Sequence, residues 1–286
     1  MKGGTFSMRF FHSLLRPEEN AGRAMRCVHR LWVFLWLTAF GLGIGLLSLY
    51  LTANSYASID AQALWESYFK LPLLVVMDLL LPLLVVYLGF FLFARPWAAY
   101  LLSAVPFLGL ALASYYKIQL RGDPVLASDL RLIRTAGGIM GNYTFELTEP
   151  VKLVIAGFVG MLIFSVVLLR RERMSQRGRL VGLMAMLTLT LASYFELYTS
   201  ADIYEKTANN SLINPWSEVE IYLSRGTTYP FLYSVQDMFP NAPSGYRESE
   251  ATGTLAEYED TDIPEEEKIT VVGIMLEAFS DLTDFP

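Results

Sequence analysis

A chain with five long, nearly charge-free apolar stretches has few folds open to it. The stretches run over residues 31–53, 71–93, 97–116, 151–169 and 180–199. Each matches the roughly 20 apolar residues that a helix needs to cross a hydrocarbon core. Within lipid, a helix is one of the few structures that satisfies its own backbone polar groups. The expected fold class is therefore mainly α: a polytopic membrane protein with five transmembrane helices between residues 31 and 200. A hydrophobic content of 53% agrees, since it places much of the chain in lipid. The first stretch is too long, and begins too far along the chain, for a signal-peptide core, so it reads as a retained helix. With Cys27 the only cysteine, packing rather than an internal disulfide must hold the fold. His12 and His29 lie in the basic N-terminal segment, where solvated roles are expected, and there is no CxxC or His-rich metal pattern.

The basic residues set the expected orientation. Lys2, Arg9, Arg16, Arg23, Arg26 and Arg30 precede the first stretch, and Arg95 separates the second from the third. Arg170, Arg171, Arg173, Arg177 and Arg179 separate the fourth from the fifth. Placing residues 1–30 in the cytoplasm puts all of these on the inner side, as the positive-inside rule requires. Five crossings then leave everything after Ala201 outside. Seventeen of the 28 acidic residues fall there, with a dense run from Glu257 to Glu267 that reads as a solvated linker. An acidic surface without a basic, aromatic-studded patch argues against nucleic acid as a partner.

Two acids fall inside the apolar stretches, where an ionisable group is costly enough to be read as functional. Asp78 lies in the outer half of the second stretch and Glu196 near the outer end of the fifth. Lys117, Arg121, Arg131 and Arg134, in and after the third stretch, are candidate partners for them. Interfacial pairing among these residues is the preferred reading. The other is contact with a phospholipid headgroup, whose phosphate takes charge-assisted hydrogen bonds from Lys and Arg.

Gly41 and Gly45 form a small-xxx-small pair that lets a helix approach closely, whether from the same chain or from a second copy in a homo-oligomer. Pro72, Pro82 and Pro106 are expected to kink or end helical hydrogen bonding. The loop 118–150 should hold a turn at Gly122, Asp123 and Pro124. A short surface helix should follow, capped by Ser128 or Asp129 and carrying Leu130, Leu132 and Ile133. Residues 201–268 read as a membrane-proximal linker whose Trp216, Tyr222, Tyr229, Phe231, Tyr233 and Phe239 suit the headgroup level.

Residues 269–276, ITVVGIML, are apolar or β-branched without alternation, the pattern of a strand covered on both faces. Glu277 follows at once, where open α/β sheets gather ligands. The start of an α/β domain is therefore expected at 269–286. The string IMLEAFSDL resembles the opening motif of the extracellular catalytic domain in lipoteichoic-acid-synthase-like phosphoglycerol transferases, members of the alkaline phosphatase and sulfatase superfamily. YYKIQLRGDPVLASDL, residues 115–130, resembles an outer loop of the same family, and residues 243–246 resemble its exit from the membrane-proximal helices.

The resemblance implies that Glu277 is a ligand of a catalytic divalent metal, usually manganese. It also implies that the nucleophilic Thr and the remaining ligands lie downstream, at positions these 286 residues do not include. Thr283 follows Glu277 too closely to be that nucleophile. The activity implied is transfer of glycerophosphate from phosphatidylglycerol to an envelope glycolipid or polymer at a bacterial cell membrane. The 286 residues alone are expected to be inactive and to hold no metal tightly. Two alternatives stay open. One is a phosphoethanolamine-transferase-like enzyme, which shares the layout but has a different opening motif; the other is a non-catalytic polytopic scaffold whose acidic tail binds a partner. A longer reading frame with a downstream Thr and later Asp and His pairs supports the transferase, and a natural stop after Pro286 supports the scaffold.

Overall fold

The structure, a computed structural model, describes residues 23–132, 144–169, 174–207, 213–214, 216–238 and 245–256, with 269 and 273 singly. Five helices in it are long and apolar enough to cross a membrane, so the protein is a multi-pass membrane protein. They are α1 (Arg23–Ala53), α3 (Pro72–Phe93), α4 (Pro96–Arg121), α5 (Glu149–Leu168) and α6 (Gln176–Ser193), the last continued by a π-helical turn over Tyr194–Tyr198. Helix α2 (Ala61–Lys70) bridges α1 and α3. Helices α3 to α6 begin within four residues of the expected positions, and α1 is already helical at Arg23, the first described residue and eight before its apolar stretch. Arg26 and Arg30 are exposed on its first turns, where their long stems can lie along apolar surface while the charge reaches water.

Helices α1, α3 and α4 pack on one another as the centre of the bundle, α5 lies against α1 and α4, and α6 lies against α3. The close approach of α1 to α3 depends on glycine. A Cβ at Gly41 would stand 2.6 Å from Leu83 Cα, and one at Gly45 would stand 3.1 Å from Leu79 Cα. The small-xxx-small pair therefore serves packing within the chain. Gly41→Val should lower stability by about 2 kcal/mol, the usual cost of overpacking a tight contact. The check is thermal denaturation in detergent; an unchanged Tm would mean that the two helices do not meet in this way.

Proline marks the helix starts and does not end the helices. Pro72 and Pro96 stand in the first turns of α3 and α4, where a missing N–H costs nothing. Helices α3 and α4 are joined through Ala94, left-handed at φ 52°, with its N–H 2.7 Å from the Phe90 carbonyl oxygen. Of the two outcomes expected at Pro82 and Pro106, ending the helix does not occur, as α3 and α4 run through both. Pro82 has no N–H to give to the Asp78 carbonyl four residues back. Neighbouring groups are served from outside the helix: the Tyr198 hydroxyl donates to the Met77 carbonyl at 2.7 Å, and the Ser103 hydroxyl to the Pro82 carbonyl at 2.8 Å.

After α6 the chain forms short helices, α7 (Ala201–Lys206), α8 (Glu218–Leu223) and α9 (Thr228–Tyr233), then a 3-10 turn at Ser234–Met238. These belong to one compact unit with the spans, and residues 241–286 make up a second unit. The described part of that second unit holds α10 (Glu248–Ala256), with an Arg247 to Glu250 ion pair of 2.9 Å in its first turn. No strand occurs among the described residues. The strand expected at 269–276 lies outside them except for 269 and 273.

Candidate functional site

The face where α7 to α9 meet the spans holds Asp78 together with the buried hydroxyl residues Thr52, Thr227 and Thr228. Asp78, on the second turn of α3, is fully buried. Its Oδ1 accepts hydrogen bonds from the backbone N–H groups of Thr228 at 2.9 Å and Tyr229 at 3.3 Å. These are the first two residues of α9, whose amides have no partner within their own helix. Thr227, at the N-cap, makes no capping hydrogen bond with its side chain, so the acceptor comes from a different helix. The carboxyl oxygen also sits at the positive end of the α9 dipole. Asp78 thus pins the linker to the bundle roughly 9 Å inward from the start of α3, at 1.5 Å per residue.

Glycine makes this approach fit. Gly226 has φ 84°, a conformation that side chains disfavour, and a Cβ there would collide with the Asp78 carboxyl group and with Leu49. Around the pair the linker is tied in at several further points. Thr52 of α1 and Thr227 are hydrogen-bonded through their hydroxyls. Tyr68 of α2 donates to the Leu223 carbonyl at 2.8 Å, and Tyr222 donates to the Val125 carbonyl at 2.9 Å. Burial, with the nearby Asp78 carboxyl adding to it, pushes both phenols well above their usual value, so they stay protonated and act as donors. The Ser234 hydroxyl accepts from Ala127 N at 3.0 Å, and Arg131 donates to the Met238 carbonyl. Asp78 Oδ2, Thr228 Oγ1 and Ser48 Oγ have no hydrogen-bond partner among the described residues.

An aromatic and arginine cluster stands beside this junction. The Arg225 guanidinium lies 4.2 Å from the Tyr204 ring centroid and donates through Nε to the Tyr204 carbonyl at 3.1 Å. Tyr204 stacks on Tyr233 at 3.9 Å, and Tyr229 meets both Tyr198 and Tyr204 edge-on. Burial raises the Tyr229 phenol to about 12.

The other residues proposed from sequence separate. Lys117 pairs with Asp129 Oδ2 at 2.7 Å and donates to the Pro124 carbonyl at 2.8 Å, which closes the turn after α4 on itself. The partner of Asp78 is therefore backbone and not a base. Asp129 Oδ2 also accepts from Leu126 N at 2.8 Å and so caps the 3-10 helix Ala127–Leu132, which takes the place of the expected surface helix. Arg121 is exposed, and Glu196 is exposed on the π-helical turn; neither side chain makes an ion pair or hydrogen bond with another described residue. Arg134, Ile133, Phe239 and Glu277 lie outside the described residues. Tyr222 and Tyr229, expected at the headgroup level, are buried in protein, while Trp216 is 91% exposed.

Sequence reasoning found Asp78 but missed Gly226, Thr227, Thr228 and Tyr68. The signal was present in RGTTYP, residues 225–230, where a glycine, two hydroxyl residues and an early proline mark a helix start. Among the described residues no group of three or more His, Cys, Asp or Glu side chains gathers where it could hold a metal ion. Comparison with known proteins found no matching family model, no matching curated protein and no matching solved structure.

Proposed function

We propose that this chain is the membrane-anchoring, N-terminal part of a metal-dependent phosphoglycerol transferase of the sulfatase-like type. Such an enzyme moves glycerophosphate from phosphatidylglycerol to an envelope glycolipid or polymer. In this reading residues 1–30 face the cytoplasm, and the linker and residues 269–286 face outward, where an α/β domain begins at the strand 269–276. The observation that supports it best is the sequence IMLEAFSDL following a linker that is bonded into one end of a five-span bundle. An enzyme whose donor is a membrane lipid needs its soluble part held near the bilayer. The bonds of Asp78 and Tyr68 to the linker, and of the linker's Tyr222 to the Val125 carbonyl, give such a hold.

The resemblance makes Glu277 the candidate metal ligand, and a divalent cation held with its help would neutralise phosphoryl charge. The nucleophile and the other ligands belong, in this reading, to a longer polypeptide. The test uses both lengths. Purified with manganese, the 286-residue chain should release no diacylglycerol from a phosphatidylglycerol analogue. The longer reading frame should release it, and Glu277→Gln should abolish that release. Manganese-dependent hydrolysis by the 286-residue chain, or an unaffected Glu277→Gln enzyme, would overturn the reading.

A further inference from the structure

Among the described residues the carboxyl groups of the five-span unit gather towards one end of the bundle. Within residues 23–238 every described Asp and Glu lies at or near the end where the linker docks. Arg26, Arg30, Arg95, Arg177 and Arg179 lie at the other. At that basic end a groove of about 790 Å³ opens where α3 gives way to α4. Leu92, Trp97, Leu101 and Val105 line it, together with Arg95 and Arg179. From Arg95 to Pro106 it follows α4 for roughly 15 Å, at 1.5 Å per residue. Its walls are thus apolar towards the middle of the bundle and cationic at the end.

The two arginines are differently placed. Arg179 donates through Nε to the Phe91 carbonyl at 3.3 Å and through a terminal nitrogen to the Leu92 carbonyl, which caps the end of α3. A guanidinium has five N–H donors, so three remain for an external acceptor. Arg95 is exposed and makes no ion pair or hydrogen bond with another described residue. Trp97, 36% exposed, stands one turn into the groove, where an indole suits the boundary between headgroup and acyl chain.

We propose that this groove binds an anionic phospholipid, with its phosphate on Arg95 and Arg179 and an acyl chain along Trp97, Leu101 and Val105. Any lipid chain could cover the apolar wall, but the basic end selects by headgroup. The described residues that line the groove bring two guanidinium groups and no carboxylate, so its charge complements an anionic headgroup better than one that also carries a cation. The site is independent of the transferase reading, because it lies at the end of the bundle opposite the docked linker.

The test is native mass spectrometry of the 286-residue chain released from nanodiscs containing equal amounts of phosphatidylglycerol and phosphatidylcholine. The wild-type chain should retain phosphatidylglycerol in excess. Arg95→Gln should cut that preference about tenfold, the effect of losing one charge-assisted hydrogen bond. Ala98→Trp, which fills the groove and leaves both arginines in place, should lower retention of both lipids. Free glycerol 3-phosphate should not displace the lipid, since it lacks the chain. Equal retention of the two lipids by the wild-type chain would overturn the proposal. So would an Arg95→Gln chain, folded by its circular dichroism and Tm, that keeps the full preference.

Discussion

Asp78→Leu should free the linker while leaving the bundle folded. The substitution removes the only acceptor among the described residues for the Thr228 and Tyr229 amides, and a buried donor without a partner costs about 1–3 kcal/mol. It also removes a carboxyl group from a site with no exposure, which relieves a desolvation cost of several kcal/mol. The two effects act on different parts of the molecule. The spans should hold their Tm or gain, and the opening of α9 should become easier by about 3 kcal/mol, the scale of one to two orphaned amides. Hydrogen exchange at Thr228 and Tyr229 reads this directly, with an expected acceleration of roughly a hundredfold. Asp78→Asn keeps a carbonyl acceptor for both amides and should accelerate exchange less than about tenfold. Exchange that is unchanged in Asp78→Leu would show that the carboxyl group does not hold the linker.

Gly226→Val should have an effect of similar size by a different route. A left-handed backbone costs a residue with a side chain about 1–2 kcal/mol, and a β-branched one more. The added atoms would also meet Asp78 and Leu49, and overpacking adds about 1–3 kcal/mol. Together the destabilisation of the docked linker should reach about 3 kcal/mol. The two contributions separate in a double-mutant cycle. With Asp78→Ala the collision with the carboxyl group is gone while the backbone cost and the contact with Leu49 stay, so Gly226→Val should cost about 2 kcal/mol in that background. A full cost in both backgrounds would mean that Gly226 and Asp78 are not in contact.

These two residues also show what a sequence can and cannot display. The five spans were legible because an apolar run is a local property, and only their ends moved. Helix α1 is helical over Arg23–Arg30, before its apolar stretch, because a membrane helix can continue through arginines that reach the surface. Helix α2 escaped because ten amphipathic residues between two spans carry a weak signal. Asp78 stood out by its cost in lipid, but its partners are backbone amides 150 and 151 residues further on. An amide has no side chain to announce it, so the pairing was not legible and a base was sought in Lys117, which is engaged by Asp129. Tyr222 and Tyr229 were placed in the headgroup region because an aromatic residue suits that level and a protein interior alike.

Helix α6 packs against α3, and the chain that follows it returns to the same α3 at Asp78. Tension applied to the polypeptide at Met238 is therefore delivered to the middle of the bundle through Asp78, and to the 3-10 segment through Arg131. The residues between α6 and α9 are bypassed by that load. The protein is built as a moored line, with its fastening at α3.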